Sequence, residues 1–219
     1  ISFNKHNSSV KIPRIINDLN SGKSIALASD AGMPSICDPG EELIKDARKN
    51  NLKIICIPGA CAALTAIVSS GLSCSKFCFE GFLPKKNIER SKVIMEISRN
   101  YKTTILYESP HRLKKLLREL KEYCGGDREI HIFRELTKKF EEHIGNNIND
   151  VIEYFENKEI LGEITLVIKG RNIVKNKKFD ELVLKKDLHD LVKAGLSLSS
   201  ASKYLANKEN LKKNTIYSL

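Results

Sequence analysis

The chain has 219 residues, of which 41% are hydrophobic and 29% charged, a composition that places it among folded globular proteins and excludes a disordered chain. Its 37 Lys and Arg residues against 27 Asp and Glu residues give a net charge of +10, which favours a polyanionic partner such as nucleic acid. Aromatic residues make up only 6% and tryptophan is absent, so base stacking is not the expected main mode of binding.

The cysteine pattern and the hydropathy exclude two further classes of protein. The six cysteines form no CxxC pair and no Cys/His cluster with zinc-ligand spacing, so we predict reduced thiols in a cytoplasmic protein and no metal. The longest charge-free stretch, 54–75, contains Pro58 and Gly59 and therefore predicts a strand, a turn and a helix rather than a membrane span. The chain starts at Ile1 without a methionine, which leaves open that its true beginning is missing.

Residues 1–76 alternate the patterns of helices and strands. A first amphipathic helix, closed by Gly22, is predicted by apolar residues at helical spacing: Ile12, Ile15, Ile16 and Leu19. Buried strands are predicted at 24–28 and 53–57, and a helix after each of them. The first of these helices is expected to bury Leu43, Ile44 and Ala47, and the second covers 60–70. Such alternation is typical of a parallel sheet, so we predict an α/β lobe over 1–76.

Residues 77–170 predict a second α/β lobe. Strands are expected at 77–83, 103–107, 129–134 and 163–168. Helices are expected at 86–99 with Val93, Ile94 and Ile97 inward, at the segment with Leu113, Leu116, Leu117 and Leu120, and around 151–155.

The last part of the chain, 171–219, differs from both lobes in composition. Residues 171–178 are basic and polar, which predicts a linker, and the segment from Leu188 predicts short helices separated by 195–197, in the manner of a helix-turn-helix. From Arg171 onward there are 11 Lys or Arg and 5 Asp or Glu, so this part carries 11 − 5 = +6 of the net charge. We therefore predict a small nucleic-acid-binding tail, with a solvated packing module as the alternative.

Two loops in the first lobe are candidates for ligand binding. The segment 30–32 follows a predicted strand directly, where α/β sheets place their ligands, and Gly32 would let the backbone approach a bound molecule; an ordinary tight turn is the alternative. Pro58 and Gly59 follow the next strand and could form the opposite wall. Neither loop is a GxGxxG or a phosphate-binding loop, so the pattern does not indicate a nucleoside triphosphate, although it is compatible with another nucleotide-like ligand.

Two further junctions are predicted to begin helices. Asp38 is expected at the N-cap of one helix, with Pro39 at its first position and Glu41 closing a capping box. Ser109 is expected at the N-cap of another. Arg112 then lies in that helix's first turn, where a positive charge opposes the helix dipole, so an anion should lie nearby. The candidates are Glu108, which we favour, and a substrate phosphate.

Six motifs in a fixed order carry a resemblance to a known family. They are SDAGMPSICDPG at 29–40, IPGACAA at 57–63, EGFLP at 80–84, YESPHR at 107–112, RELTK at 134–138 and GEITLVI at 162–168. Together they closely resemble the ribosomal RNA small subunit methyltransferase I family, within the tetrapyrrole methylase superfamily, over essentially the whole chain. The resemblance implies 2′-O-methylation of a cytidine ribose in 16S ribosomal RNA, with S-adenosylmethionine in a cleft between two α/β lobes and no metal. It also implies ribosomal RNA or the small subunit as partner and no membrane, and leaves a homodimer open.

The resemblance also implies site residues. Those expected at the cofactor are Asp30, Ala31, Gly32, Pro34, Pro58, Gly59, Ala62, Tyr107 and Thr165. The 2′-hydroxyl is a weak nucleophile that benefits from a base, and the catalytic candidates are Glu108, His111, Arg112 and Glu135, with Arg112 as a possible holder of a phosphate. The sequence does not choose among them.

One departure from the family keeps two other functions open. The family opens with a further strand and a glycine-containing turn at the cofactor, and this first βα unit is absent from the chain, as in a fragment or a truncated gene product. Methylation of a precorrin-type tetrapyrrole is one alternative, and the basic tail disfavours it. A catalytically dead nucleic-acid-binding regulator is the other.

Overall fold

The structure, a computed structural model, describes residues 1–172, 181–209, 211 and 213–219. The chain divides into two compact units, Ile1–Asn172 and Ile173–Leu219. Of the predicted linker at 171–178, residues 173–178 lie outside the described part. None of the helices described is long and apolar enough to cross a membrane.

The strands described in the first unit form one five-stranded sheet, in the order β1-β2-β5-β3-β4. Their bounds are β1 Phe77–Phe82, β2 Thr103–Glu108, β3 Glu129–Arg134, β4 Glu142–Asn147 and β5 Ile164–Ile168. The pair β1–β2 is parallel, whereas β2–β5, β3–β5 and β3–β4 are antiparallel. The sheet is therefore mixed, and the short segment 135–141 between β3 and β4 can only reverse the chain. Strand β4 was not predicted, since its sequence EHIGNN has a single β-branched residue.

Helices cover both faces of this sheet. On one face α4 (Asn87–Arg99), α5 (Pro110–Cys124) and α6 (Ile148–Phe155) pack on Leu106, Ile132 and Leu166, which are fully buried. On the other face α3 (Ala62–Ser70) packs Ala66 and Ile67 against the strand residues Ile105, Phe133 and Val167. The alternation of side chains along each strand thus supplies two cores.

Two predicted strands of the first lobe are not formed. Residues 24–28 and 53–57 have no strand assignment, and the side chains of Ile55 and Ile57 are 71% and 81% exposed. A strand forms only where a neighbouring backbone pairs with it through hydrogen bonds. None of the described residues forms a strand pair with these two segments. The helix α1 (Ser8–Asn20) is formed as predicted, and its Ile12 and Ile15 pack on Leu43.

Helix α2 (Glu41–Lys49) starts later than predicted. Its N-cap is Gly40, with φ +149°, and no side chain caps the helix, so the assignment of Asp38 as N-cap is wrong. A Cβ at Gly40 would overlap the Oγ of Ser35, which shows how tightly the loop folds back before the helix begins. Leu43 and Ala47 are buried as predicted, whereas Ile44 is 36% exposed.

The second unit is helical as predicted. It contains α7 (Glu181–Lys193), α8 (Leu198–Glu209) and α9 (Lys213–Tyr217). Their shared core comprises Leu184, Leu188, Ala201, Leu205, Ala206 and Ile216. Gly195, with φ +98°, follows α7, and the Oγ of Ser197 accepts a hydrogen bond from the N–H of Ser200 at 3.2 Å at the start of α8. These two residues account for the predicted break at 195–197.

Candidate functional site

The two glycine loops of the first lobe lie next to each other. A Cβ placed on Gly32 would stand 3.8 Å from the carbonyl oxygen of Ala60, and one on Gly59 would stand 3.9 Å from Cγ of Met33. Gly32 has φ +74°, which disfavours any residue with a side chain. The loops 30–34 and 58–62 therefore face each other as expected, with accessible backbone groups on both.

Tyr107 connects β2 to these loops. It lies near the end of β2, and its hydroxyl oxygen accepts a hydrogen bond from the N–H of Ala63 at 3.1 Å, in the first turn of α3. Its ring packs edge-on against Phe79 and Phe82, with centroids 5.0 and 5.7 Å away. Burial raises the pKa of Tyr107 to about 12, so its hydroxyl stays protonated at neutral pH and cannot act as a base.

Thr165 is the immediate neighbour of Tyr107 in the sheet. The two residues are paired across β2 and β5, and Thr165 is paired on its other side with Phe133 of β3. Thr165 is 5% exposed. The structure thus brings together the two cofactor residues predicted in the second lobe, on the face of the sheet that α3 covers.

Cys37 links the loop before α2 to β1. A Cβ on Gly81, which has φ +62°, would stand 2.6 Å from the Sγ of Cys37. Burial raises the pKa of this thiol. Cys61 precedes α3 and packs in the same cluster as Tyr107. Sequence reasoning missed the roles of Phe79, Cys37 and Cys61 around Tyr107, because their contacts join segments far apart in the chain.

Glu108 lies on the opposite face from Tyr107 and is held in an ion-pair network. Its side chain is 0% exposed, and its Oε2 lies 3.3 Å from Nη1 of Arg90. Its Oε1 lies 3.3 Å from Nε of Arg112 and accepts a hydrogen bond from the N–H of Ser109 at 2.8 Å. The anion beside Arg112 is therefore Glu108, the alternative favoured by the sequence. Ser109 occupies the predicted N-cap position of α5, but its side chain makes no capping hydrogen bond.

Arg90 and Arg112 extend this network to two further elements. Nε of Arg90 donates to Oε2 of Glu119 on α5 at 2.6 Å. Nη2 of Arg112 donates to the carbonyl oxygen of Leu83, just after β1, at 2.8 Å. No sequence pattern indicated a buried role for Arg90, since an arginine near the start of a helix usually faces solvent.

Glu135 holds the turn that leads into β5. Its Oε1 accepts hydrogen bonds from the N–H of Glu163 at 2.7 Å and from Nζ of Lys138 at 2.9 Å. The Glu163 N–H and the Lys138 ammonium hold the pKa of this carboxyl below its usual value. A Cβ on Gly162 would stand 2.5 Å from Cγ of Glu135, so the carboxylate fits against a glycine.

The four predicted catalytic residues lie at one end of the sheet, where β2 and β3 finish. Glu108 at the end of β2 and Arg134 at the end of β3 both pair with Ile164, so Glu135 follows at the same end of the sheet. His111 and Arg112 lie in the first turn of α5, immediately after β2. Of the four, His111 alone is exposed.

A cavity of about 420 Å³ also opens near this end of the sheet. It is lined by Arg134, Glu142, Phe155, Lys158, Glu159, Ile160 and Leu161. None of the predicted site residues lines it. In the part of the chain that the structure describes, no three His, Cys, Asp or Glu side chains are arranged to hold a metal ion.

Solved structures show similarity to this chain in fold. The methyltransferase CobJ has a TM-score of 0.57 at 17% identity, covering 74% of this chain and 72% of that one. Uroporphyrin-III C-methyltransferase from Thermus thermophilus, complexed with S-adenosyl homocysteine, has a TM-score of 0.52 at 12% identity, covering 73% of each chain. At these identities the comparison establishes the fold alone.

Comparisons with curated sequences give higher identities and identify the family. Residues 4–152 match the family of Tetrapyrrole (Corrin/Porphyrin) Methylases. Ribosomal RNA small subunit methyltransferase I of Synechocystis sp. is 38% identical over 100% of this chain and 78% of its own length. The protein of the same name from Bacillus subtilis is 39% identical over 99% of this chain and 75% of its own length. The chain therefore belongs to the tetrapyrrole methylase family and, within it, to the group of ribosomal RNA small subunit methyltransferase I.

Proposed function

We propose that this protein is an S-adenosylmethionine-dependent methyltransferase that methylates the 2′-hydroxyl of a cytidine ribose in 16S ribosomal RNA. The observation that carries the proposal is the identity of 38% and 39% to proteins named ribosomal RNA small subunit methyltransferase I, over at least 99% of the chain. CobJ and the uroporphyrin-III C-methyltransferase share the fold at 17% identity or less. A shared fold alone does not indicate a shared substrate.

The two glycine loops fit the cofactor. A Cβ on Gly32 would have no neighbour closer than 3.8 Å, so the backbone, rather than lack of space, requires glycine there and a ligand can approach it. The residues that would hold the cofactor are Asp30, Ala31, Gly32, Pro34, Pro58, Gly59, Ala62, Tyr107 and Thr165. When bound, S-adenosylmethionine supplies a methyl group activated by its sulfonium. Backbone polar groups, one carboxylate and apolar walls suit its amino acid, ribose and base.

The chain's own contribution is to orient the acceptor and take its proton. Holding the hydroxyl in line with the methyl group supplies much of the rate of such a displacement. Glu108 is buried between two arginines, and Oε1 of Glu135 is bound by the N–H of Glu163 and by Lys138, so both carboxylates already have partners that hold the fold. His111 is exposed at the start of α5, and imidazole is the commonest general base. We therefore assign the proton transfer to His111.

The proposal also covers the division of the chain into parts and the role of the second unit. We retain lobes at 1–76 and 77–170 with the cofactor between them, and a third part at 171–219 that adds RNA affinity through its charge of +6. Small-subunit ribosomal RNA, free or assembled, is the partner.

A methyl-transfer assay with three acceptors separates the candidate functions. Labelled methyl groups from S-adenosylmethionine are offered to isolated small ribosomal subunits, to naked 16S ribosomal RNA and to a uroporphyrinogen. Label in a cytidine whose 3′ linkage resists alkaline hydrolysis supports the proposal. Label in the tetrapyrrole alone supports the first alternative, and cofactor binding by calorimetry with no transfer supports the regulator.

The assignment of His111 is tested with a matched pair of variants on α5. His111→Ala removes the proposed base and should lower kcat by about 100-fold or more. Lys121→Ala changes an exposed residue in the last turn of the same helix and should leave kcat unchanged. Equal kcat values for the two variants would remove His111 from the mechanism.

A further inference from the structure

Arg90 lies at a buried position that is energetically unfavourable for a charged side chain. It lies near the start of α4, where the helix dipole disfavours a positive charge, and it is 3% exposed. Its Nη2 is buried and has no hydrogen-bond partner among the described residues. Buried ion pairs contribute little net stability compared with apolar residues of the same volume. A contribution to stability alone therefore does not explain why an arginine is buried at this position.

The contacts of Arg90 join β2 and α5, which meet next to His111. Its Nε binds Glu119 on α5 at 2.6 Å, and its Nη1 binds Glu108 at the end of β2 at 3.3 Å. The planar guanidinium presents these two donors at a fixed angle, so it sets the placement of α5 relative to β2.

Glu108 carries this constraint into the first turn of α5. One carboxylate oxygen of Glu108 faces Arg90, and the other accepts from the N–H of Ser109 and lies 3.3 Å from Nε of Arg112. Ser109 and Arg112 lie on either side of His111 in the chain. The backbone that carries the imidazole is thus held from both sides by a single buried carboxylate, whose far oxygen is held by Arg90.

We propose that Arg90 is a positioning residue for methyl transfer, which through Glu108 and Glu119 fixes the first turn of α5 and with it the imidazole of His111. The inference rests on the proposed function, because it assigns the proton transfer to His111. Among the described residues, the side-chain hydrogen bonds of Arg90 go to Glu108 and Glu119 and not to the cofactor loops. Its loss should lower kcat through misplacement of the base, and should leave cofactor binding and the KM for RNA nearly unchanged.

The first test compares Arg90→Lys with Arg99→Lys in the intact protein. Lysine keeps the charge but can face only one of the two glutamates, so kcat on small subunits should fall by about tenfold to a hundredfold. The Kd of S-adenosylmethionine and the KM for RNA should stay within about threefold of the original values. Arg99 is exposed at the end of the same helix, and its variant should behave like the original protein. A kcat for Arg90→Lys equal to that of the control overturns the inference.

A double-mutant cycle separates positioning from a merely structural role. If Arg90 acts through His111, Arg90→Lys should lower kcat little further in a protein that already carries His111→Ala. Additive losses overturn the inference. Arg90→Met combined with Glu108→Gln removes the buried charges, so its Tm should lie above that of Arg90→Met alone while kcat stays low. If kcat instead recovers together with Tm, Arg90 is only structural.

The same experiments distinguish failure of this inference from failure of the proposed function. If the original protein transfers no methyl group to any RNA acceptor, the proposed function is wrong and the inference falls with it. If the original protein is active and Arg90→Lys is equally active, only the inference is wrong.

Discussion

The hydroxyl of Tyr107 accepts a hydrogen bond from the N–H of Ala63 at 3.1 Å, and this contact joins β2 to the first turn of α3 across 44 residues of sequence. The N–H of Ala63 is one of the groups that a helix leaves without an internal partner at its N-terminus. Tyr107 supplies that partner, so a side chain near the end of β2 holds the start of α3 and the loop 58–62 before it.

Tyr107→Phe should therefore weaken both stability and cofactor binding. Loss of the acceptor leaves the N–H of the buried Ala63 unsatisfied, which costs about 1–3 kcal/mol in the free energy of unfolding. Urea denaturation and calorimetric titration with S-adenosylmethionine measure the two effects. Tyr123→Phe, at a tyrosine of α5 that is 36% exposed, is the control. Unchanged affinity and stability would show that the hydrogen bond contributes nothing.

The raised pKa of Tyr107 gives a prediction about pH. Its pKa in the folded protein is about 12, against an ordinary value of 10.0. The stability that this shift contributes is therefore complete below pH 10.0 and is lost as the pH rises through about 12. Between about pH 6 and 9, Tyr107→Phe and the original protein should show the same pH dependence of kcat. A change in that profile would mean that Tyr107 titrates in the active range.

Gly32→Val should abolish binding of S-adenosylmethionine while leaving the protein folded. Valine disfavours φ +74°, and its side chain would occupy the space between the two loops. Gly22→Val is the matched control, because Gly22 has φ +89° and no described atom within 4 Å of its Cβ position. Calorimetry on both variants measures the difference. Equal affinities would remove the loop 30–34 from the cofactor site.

Arg112→Ala should lower stability more than RNA affinity. The guanidinium is bound to Glu108 and to the carbonyl oxygen of Leu83, and its loss leaves the Glu108 carboxylate less compensated, at a cost of about 1–3 kcal/mol. Arg118→Ala, at an exposed arginine of the same helix, is the control. Thermal denaturation and RNA titration are measured on both variants. A large loss of RNA affinity at unchanged Tm would favour a phosphate as the partner of Arg112.

Glu135→Gln should change the acid stability of the protein and not its catalytic rate. Because the pKa of this carboxyl is lowered in the fold, the stability it contributes is present above its ordinary value of 4.5 and is lost as the pH falls through the lower folded value. Thermal denaturation between about pH 7 and 3 should give a flatter profile for the variant. Glu122→Gln, at an exposed carboxylate of α5, should leave the profile unchanged. A fall in kcat of about 100-fold for Glu135→Gln would make Glu135 the base instead of His111.

Removal of the second unit should reduce the salt dependence of RNA binding. A truncation after Asn172 ends where the first unit ends and keeps the hydrogen bond from Arg171 N–H to the carbonyl oxygen of Asn100. Each lost phosphate contact lowers the slope of log K against log salt by roughly 0.7–0.9, so the slope should fall by a few units. Cofactor affinity should stay the same, because the cofactor loops lie in the first unit.

Two charge changes within the intact chain are the control for this truncation. Lys203→Ala and Lys213→Ala together remove two cations from α8 and α9 and should lower the slope by roughly 1.4–1.8. An unchanged slope in the truncated protein, with loss of cofactor binding, would make the second unit a structural brace.

The local pattern of the sequence determined the helices and their buried faces. Leu113, Leu116, Leu117 and Leu120 recur at helical spacing, and all four are at most 1% exposed in α5. Ser109 and Pro110 marked the start of that helix correctly. Such features depend on residues within a few turns of one another, which a single sequence displays directly.

Pairing between distant segments was decided only by the tertiary structure. Residues 53–57 have a strand-like sequence but no paired neighbour among the described residues, whereas EHIGNN forms β4 because the chain reverses beside β3. The sequence indicated an anion beside Arg112, and the fold supplied both Glu108 and the unexpected Arg90. Strand pairing and buried ion pairs depend on which backbones and charges the fold brings into contact, and a local pattern carries no record of that.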